Sequence, residues 1–240
     1  MSAENSAIKF SLDEYWDERY LKEKNRNFEW LDSYSSLKSL MNTLLTTKNG
    51  KILMLGCGNS KLSEEMYLDG YKNISNIDRC GIVISQMFNR NINKVEMTWE
   101  VMDCQNLEYE SNSFDYVIDK CTLDTLLCST NPFMAAAYTI NEVQRVLKPG
   151  GYFMCISFGK PGERMNHFER EHLSFGIEYC PMIASFANDE EMIKYFSSEK
   201  IDDGIYNVYV CCKLDDADEK FKSNWNANAE VSIKKDFVAN

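Results

Sequence analysis

The sequence predicts an α/β fold: a seven-stranded, mostly parallel sheet with helices on both faces and an antiparallel pair of strands at its C-terminal end. Three observations predict it. Short apolar segments alternate with segments of helical period between residues 51 and 158, the pattern of parallel strands joined by crossover helices. The first apolar run, 51–55, ends abruptly in Gly56-Cys57-Gly58 and then Asn59-Ser60, which reads as a strand, a tight turn and a helix start. Beyond Gly159 the alternation gives way to residues 173–186 and 205–213, which read as an antiparallel pair joined by the charged segment 188–200.

Taken in order, residues 15–30 are rich in charge yet hold Trp16, Tyr20, Phe28 and Trp30, with Trp16 and Tyr20 on one face of a helix. These aromatics either close over a ligand or pin the N-terminal arm to the domain as a hydrophobic staple. Residues 33–45 carry apolar side chains at 34, 37, 40, 41, 44 and 45, a helical period. Strands follow near 51–55, 73–77, 97–102, 114–118 and 151–158, with helices near 60–70, 81–92 and 133–147. The length suits one domain over 1–213, with 1–46 as an arm and helix over the ligand site and 214–240 as a polar, mobile tail.

In such a sheet the ligand crevice lies at the carboxyl ends of the strands, and the singled-out residues fall there. Gly56 and Gly58 let the backbone turn tightly and let a ligand lie against the main chain, while Asn59 or Ser60 caps the next helix. A dinucleotide fingerprint needs a third glycine where this chain has Lys61, which disfavours NAD. Asp78, with Arg79 beside it, ends the second strand twenty residues after Gly58, where a carboxylate can accept the hydrogen bonds of ribose hydroxyls. Asp103 and Cys104 end the third strand, where a carboxylate and a backbone N–H can read an adenine edge.

Leu55-Gly56-Cys57-Gly58-Asn59-Ser60, Asp119-Lys120-Cys121-Thr122-Leu123-Asp124, Leu147-Lys148-Pro149-Gly150-Gly151 and the entry Tyr15-Trp16-Asp17-Glu18-Arg19-Tyr20 with Glu29-Trp30 together resemble the class I S-adenosylmethionine-dependent methyltransferases. Within them the chain is similar to the eukaryotic methyltransferase-like group that includes lysine methyltransferases of elongation factor 1-alpha. The resemblance runs from about Tyr15 to Lys213, and one departure from it is Cys121, where relatives usually carry glycine. It implies a Rossmann-like domain, S-adenosylmethionine as cofactor with S-adenosylhomocysteine as product, cofactor contact by Trp16, Tyr20, Trp30 and Lys120, and a protein lysine as acceptor. Asp119 and Asp124 flank the loop leaving the fourth strand and are the candidates for gripping the incoming amine; capping of the following helix is the alternative for Asp124. A small-molecule acceptor, or a scaffold without turnover, stays open beside the protein-lysine reading.

Composition narrows the surroundings. The formal net charge of −11 disfavours nucleic acid as the main partner and suits a basic protein. No stretch approaches the roughly 18 apolar residues of a membrane span, and residues 1–10 lack the basic start and apolar core of a secretory signal. The nine cysteines are scattered, mostly inside apolar segments, and read as reduced core thiols of a cytoplasmic protein. With no Cys-x-x-Cys and only His167 and His172, five residues apart, no metal site is expected, and a monomer is.

Overall fold

The structure, a computed structural model, describes residues 8–24, 27–183 and 204–215. The expected tail beyond residue 215, the charged connection 188–200 and the last residues of the predicted 173–186 strand lie outside the described residues.

A 3-10 turn, Ile8–Ser11, leads into α1 (Asp13–Lys22) and α2 (Tyr34–Leu44). The sheet and its crossovers follow: β1 (Ile52–Leu55), α3 (Leu62–Leu68), β2 (Ile74–Asp78), α4 (Gly81–Arg90), β3 (Thr98–Val101) and β4 (Phe114–Lys120). Then come α5 (Thr122–Leu126), α6 (Pro132–Val146), β5 (Leu147–Ser157), α7 (Pro161–Phe168), β6 (Phe175–Ile183) and β7 (Ile205–Lys213). Strand order is β3-β2-β1-β4-β5-β7-β6, parallel from β3 to β5, with β7 antiparallel between β5 and β6.

Alternating side chains of each strand feed opposite faces, so one run of β1 serves two cores. Ile52 and Met54 pack with Leu37, Leu40 and Met41 of α2, while Leu53 and Leu55 pack with Ala136, Ile140 and Val143 of α6. Both layers are closed, which is why β1 reads as a continuous apolar run. Successive strands are added outward from β1 to β3 on one side and from β4 to β5 on the other, so the strand order switches between the parallel β1 and β4 and the crevice expected from the sequence opens at their carboxyl ends.

Two boundaries differ from the sequence reading. β5 begins at Leu147, not 151, because Leu147 already pairs with Phe114 and an irregularity between Phe114 and Tyr116 absorbs the register shift. The helix after the glycine turn starts at Leu62, its N-cap is Lys61, and it ends before Gly70, whose φ of 104° a side chain would resist. Asn59 is therefore not the cap; the Ser60 hydroxyl accepts the Leu62 amide at 3.0 Å instead.

Candidate active site

The glycine turn is shaped by what sits against it. Gly56 (φ 52°) faces the Thr122 hydroxyl, which donates to the Leu55 carbonyl at 3.0 Å, and a Cβ at 56 would lie 2.2 Å from that oxygen. Gly58 (φ 50°) lies under the Tyr20 hydroxyl, 2.8 Å from where its Cβ would stand. Close approach on both sides, together with left-handed backbone, is what requires glycine here. The Gly58 amide donates to one Asp78 carboxylate oxygen at 3.0 Å and the Cys80 amide to the other at 2.9 Å, so Asp78 fastens the turn to the end of β2.

Around this turn an open cleft encloses about 970 Å³, its mouth included. Every residue expected to hold the cofactor lines it: Trp16, Tyr20 and Trp30 from the arm, Gly56, Gly58 and Asn59 from the turn, Asp78 and Arg79 after β2, Asp103 and Cys104 after β3, and Lys120 at the end of β4. The donor set fits a nucleoside bearing ribose hydroxyls. A carboxylate offers about four lone-pair directions, and two amides leave Asp78 able to accept from both hydroxyls. Burial raises the Asp78 carboxyl above its ordinary value, with the Cys80 and Gly58 amides opposing the rise.

The arm is built as one aromatic unit. Trp16 donates its indole N–H to the Phe10 carbonyl at 2.7 Å and stacks on Tyr20 with ring centroids 5.7 Å apart. Arg19 lies among rings, its guanidinium 4.4 Å from Phe28 and 5.5 Å from Trp30. Burial, with the Asp78 charge behind it, holds the Tyr20 phenol well above its ordinary range, so the hydroxyl stays protonated over Gly58. The two alternatives read from the sequence do not exclude each other: the rings that pin the arm also line the cleft.

Several residues fasten the site through partners that the sequence alone does not reveal. Glu29 accepts the Ser60 hydroxyl at 2.8 Å and the Lys61 amide, and pairs with Lys120, joining arm, turn and β4 through one carboxylate. Lys120 is 9% exposed and also donates to the Asp32 carbonyl at 3.1 Å; spacing alone suggested a solvated lysine. Arg90 reaches the Asn59 and Ser60 carbonyls at 3.3 and 3.2 Å and pairs with Glu64. Arg79 lines the cleft while its guanidinium is held by Asp13 at 2.7 Å and the Ser11 carbonyl at 2.8 Å. Glu29 entered the sequence reading only as part of the Glu29-Trp30 pair, with no role assigned to its carboxylate.

The two carboxylates expected to grip the amine part company. Asp119 is 2% exposed and is not among the residues lining the cleft; it accepts the Thr122 and Leu123 amides at 2.7 and 3.1 Å and the Cys155 thiol. It is therefore Asp119, not Asp124, whose carboxylate takes the first amides of the short α5, and both of its oxygens are engaged there. Burial, then the charge of Asp124, pushes its pKa up to about 6. Asp124 lies inside α5, paired with Arg164 at 2.6 Å and accepting the Ser157 hydroxyl at 2.7 Å and the Phe158 amide at 3.3 Å. It borders a second, smaller pocket beside the cleft, with Phe10, Trp30 and Phe158 among its walls. Between the two carboxylates Cys121, with φ 66°, takes up the left-handed turn where a glycine was expected.

Among the described residues no group of three or more His, Cys, Asp or Glu side chains is placed to hold a metal ion, and no helix is long and apolar enough to cross a membrane.

Comparison with known proteins adds three findings. A family model described as "Methyltransferase domain" matches residues 46–194. A mouse protein named "EEF1A lysine methyltransferase 4" is 31% identical over 182 residues, covering 72% of this chain and 71% of its own, and a Xenopus laevis protein named "eEF1A lysine and N-terminal methyltransferase" is 36% identical over 158 residues, 65% of this chain but 23% of that longer protein. Among solved structures, the N-methyltransferase NodS from Bradyrhizobium japonicum, crystallised with S-adenosylhomocysteine, superposes with a TM-score of 0.60 at 14% identity over 83% of this chain and 99% of that one. At that identity the likeness is one of fold.

Proposed function

The chain belongs to the methyltransferase family, an S-adenosylmethionine-dependent enzyme, and from that premise we propose that it methylates a lysine side chain of a protein, with elongation factor eEF1A as the candidate acceptor. The observation behind the acceptor is the likeness to the mouse protein, which extends over most of both chains. The observation behind the cofactor site is the convergence of the expected residues on one cleft.

Bound S-adenosylmethionine supplies a methyl group on a sulfonium, whose sulfur departs as a neutral thioether. Asp78 would hold the ribose, Asp103 and Cys104 the adenine edge, and the Gly56–Asn59 turn would lie against the rest, with the aromatic arm excluding water. Little acid–base work is then left to the protein, and positioning is the main source of rate, on the order of 7–11 kcal/mol when alignment is good. The lysine must arrive neutral. With an ordinary pKa of about 10.4, deprotonation near pH 7.4 costs roughly 4 kcal/mol, so the rate rises with pH across the neutral range.

The same reading takes the partner as basic, consistent with the net charge of −11, nucleic acid as no main partner, the enzyme as a monomer and the reaction as cytoplasmic. Incubating the protein with S-adenosylmethionine and unmethylated recombinant eEF1A, followed by mass spectrometry, tests the proposal. A methyl mass on a lysine supports it. Labelled small amines or thiols from an extract, with no lysine modified, would sink it in favour of a small-molecule acceptor.

A further inference from the structure

We propose that the small pocket walled by Phe10, Trp30 and Phe158 and floored by Asp124, which Arg164 pairs with from outside the lining, receives the terminal nitrogen of the acceptor lysine, and that it takes the mono- and dimethylated side chain as readily as the unmodified one. The proposal rests on the protein-lysine reading above and names the residues and the range of acceptors of that site.

Position comes first. The pocket shares Trp30, Cys121 and Thr125 with the cofactor cleft, so the two spaces adjoin across a single layer of side chains. It lies toward the ends of β4 and β5, whereas the ribose and adenine candidates Asp78, Asp103 and Cys104 lie at the ends of β2 and β3. An acceptor entering there meets the cofactor from the side opposite its nucleoside.

Chemistry comes second. Trp30 stands edge-on to Phe10 at 6.1 Å between ring centroids and to Phe158 at 6.2 Å, giving three aromatic walls from three separate parts of the chain. Aromatic faces attract an ammonium, methylated or not, and hold it without using its N–H groups. A pocket that recognised lysine through N–H donors would reject each added methyl, because every transfer removes a donor; ring walls do not count donors.

The floor explains why a carboxylate can stand beside an amine that has to lose its proton. An unpaired Asp124 would stabilise the ammonium and oppose that loss. Arg164 at 2.6 Å cancels its charge, and the Ser157 hydroxyl and Phe158 amide take two more of its roughly four acceptor directions. Arg164 is fixed in turn by donating to Ser157 at 2.9 Å, and by Gly159, where a Cβ would lie 2.2 Å from the guanidinium carbon. The floor is thus polar and close to neutral in net charge.

Phe158→Leu and Phe10→Leu keep apolar bulk and remove a ring, while Phe158→Tyr keeps the ring. With unmethylated eEF1A as acceptor, each Leu variant is expected to raise the acceptor KM about tenfold and to shift products towards the unmethylated and monomethyl forms by mass spectrometry. S-adenosylhomocysteine affinity should stay within twofold by calorimetry, and Phe158→Tyr should restore the wild-type distribution. If wild-type enzyme methylates lysine and both Leu variants match it in KM and product distribution, the pocket is overturned and the lysine reading stands. If wild-type enzyme modifies no lysine, the reading itself falls and the pocket loses its proposed occupant.

Discussion

Glu29 and Lys120, 91 residues apart in the chain, form an ion pair that ties the N-terminal arm to the end of β4 across the rim of the cofactor cleft. The lysine side chain is 5% exposed and the glutamate 25%. Because the same carboxylate also accepts Ser60 and Lys61, closing the arm, setting the turn and placing Lys120 are one event. Glu29→Gln keeps the shape and removes the charge. It should weaken S-adenosylmethionine binding about tenfold, about 1.4 kcal/mol, with the melting temperature of the free protein little changed. An unaltered calorimetric affinity would reduce the pair to a tie between arm and sheet with no bearing on the cofactor.

Asp78 has two tasks that substitutions can separate. Asp78→Ala should weaken cofactor binding by about 1–3 kcal/mol and also lower stability by about 1 kcal/mol, since the Gly58 and Cys80 amides lose their acceptor. Asp78→Asn retains one acceptor oxygen and should recover part of the stability while binding remains weak. Equal cofactor affinity for all three proteins would remove the ribose assignment.

Cys121 occupies a left-handed conformation that disfavours L-residues by roughly 1–2 kcal/mol. Cys121→Gly relieves this but frees the unfolded chain and empties a buried site, so the denaturation midpoint should hardly move. Cys121→Val adds a β-branch at positive φ and should destabilise by about 2 kcal/mol or more. If valine is tolerated as well as glycine, the loop does not have this shape in solution.

His167 is 3% exposed, its Nδ1 has no hydrogen-bond partner, and burial with the nearby Arg164 and Arg170 charges lowers its pKa to about 4. The native state therefore keeps it neutral, while the unfolded chain protonates it near pH 6.5. Its stabilising share is complete above pH 6.5 and is lost as the pH falls towards 4, up to roughly 3 kcal/mol in all. His167→Gln should flatten that slope, so the difference in unfolding free energy between the two proteins ought to change between pH 7 and pH 4.5. A constant difference would mean His167 is not held neutral.

Most of the fold was legible because its signals are local. A glycine pair after an apolar run, a carboxylate at a strand end and a helical period each depend on a few adjacent residues, and they brought Gly58 and Asp78 together correctly. The roles of Asp119 and Asp124 were not legible, since which of two carboxylates caps α5 depends on Arg164, 40 residues after Asp124, arriving to claim the other. Glu29 was missed as a fastening for a similar reason: its partners Ser60 and Lys120 come from elements that meet only once the sheet has formed.

Trp30 is a wall of both the cleft and the smaller pocket beside it, so neither space can be filled without pressing on the other's boundary. Free-energy coupling of this kind is reciprocal: whatever factor a bound cofactor adds to acceptor affinity, the acceptor must add to cofactor affinity. The practical result is that a change to this one indole registers on both sides at once, in the affinity for whatever fills the cleft and in the affinity for whatever fills the smaller pocket.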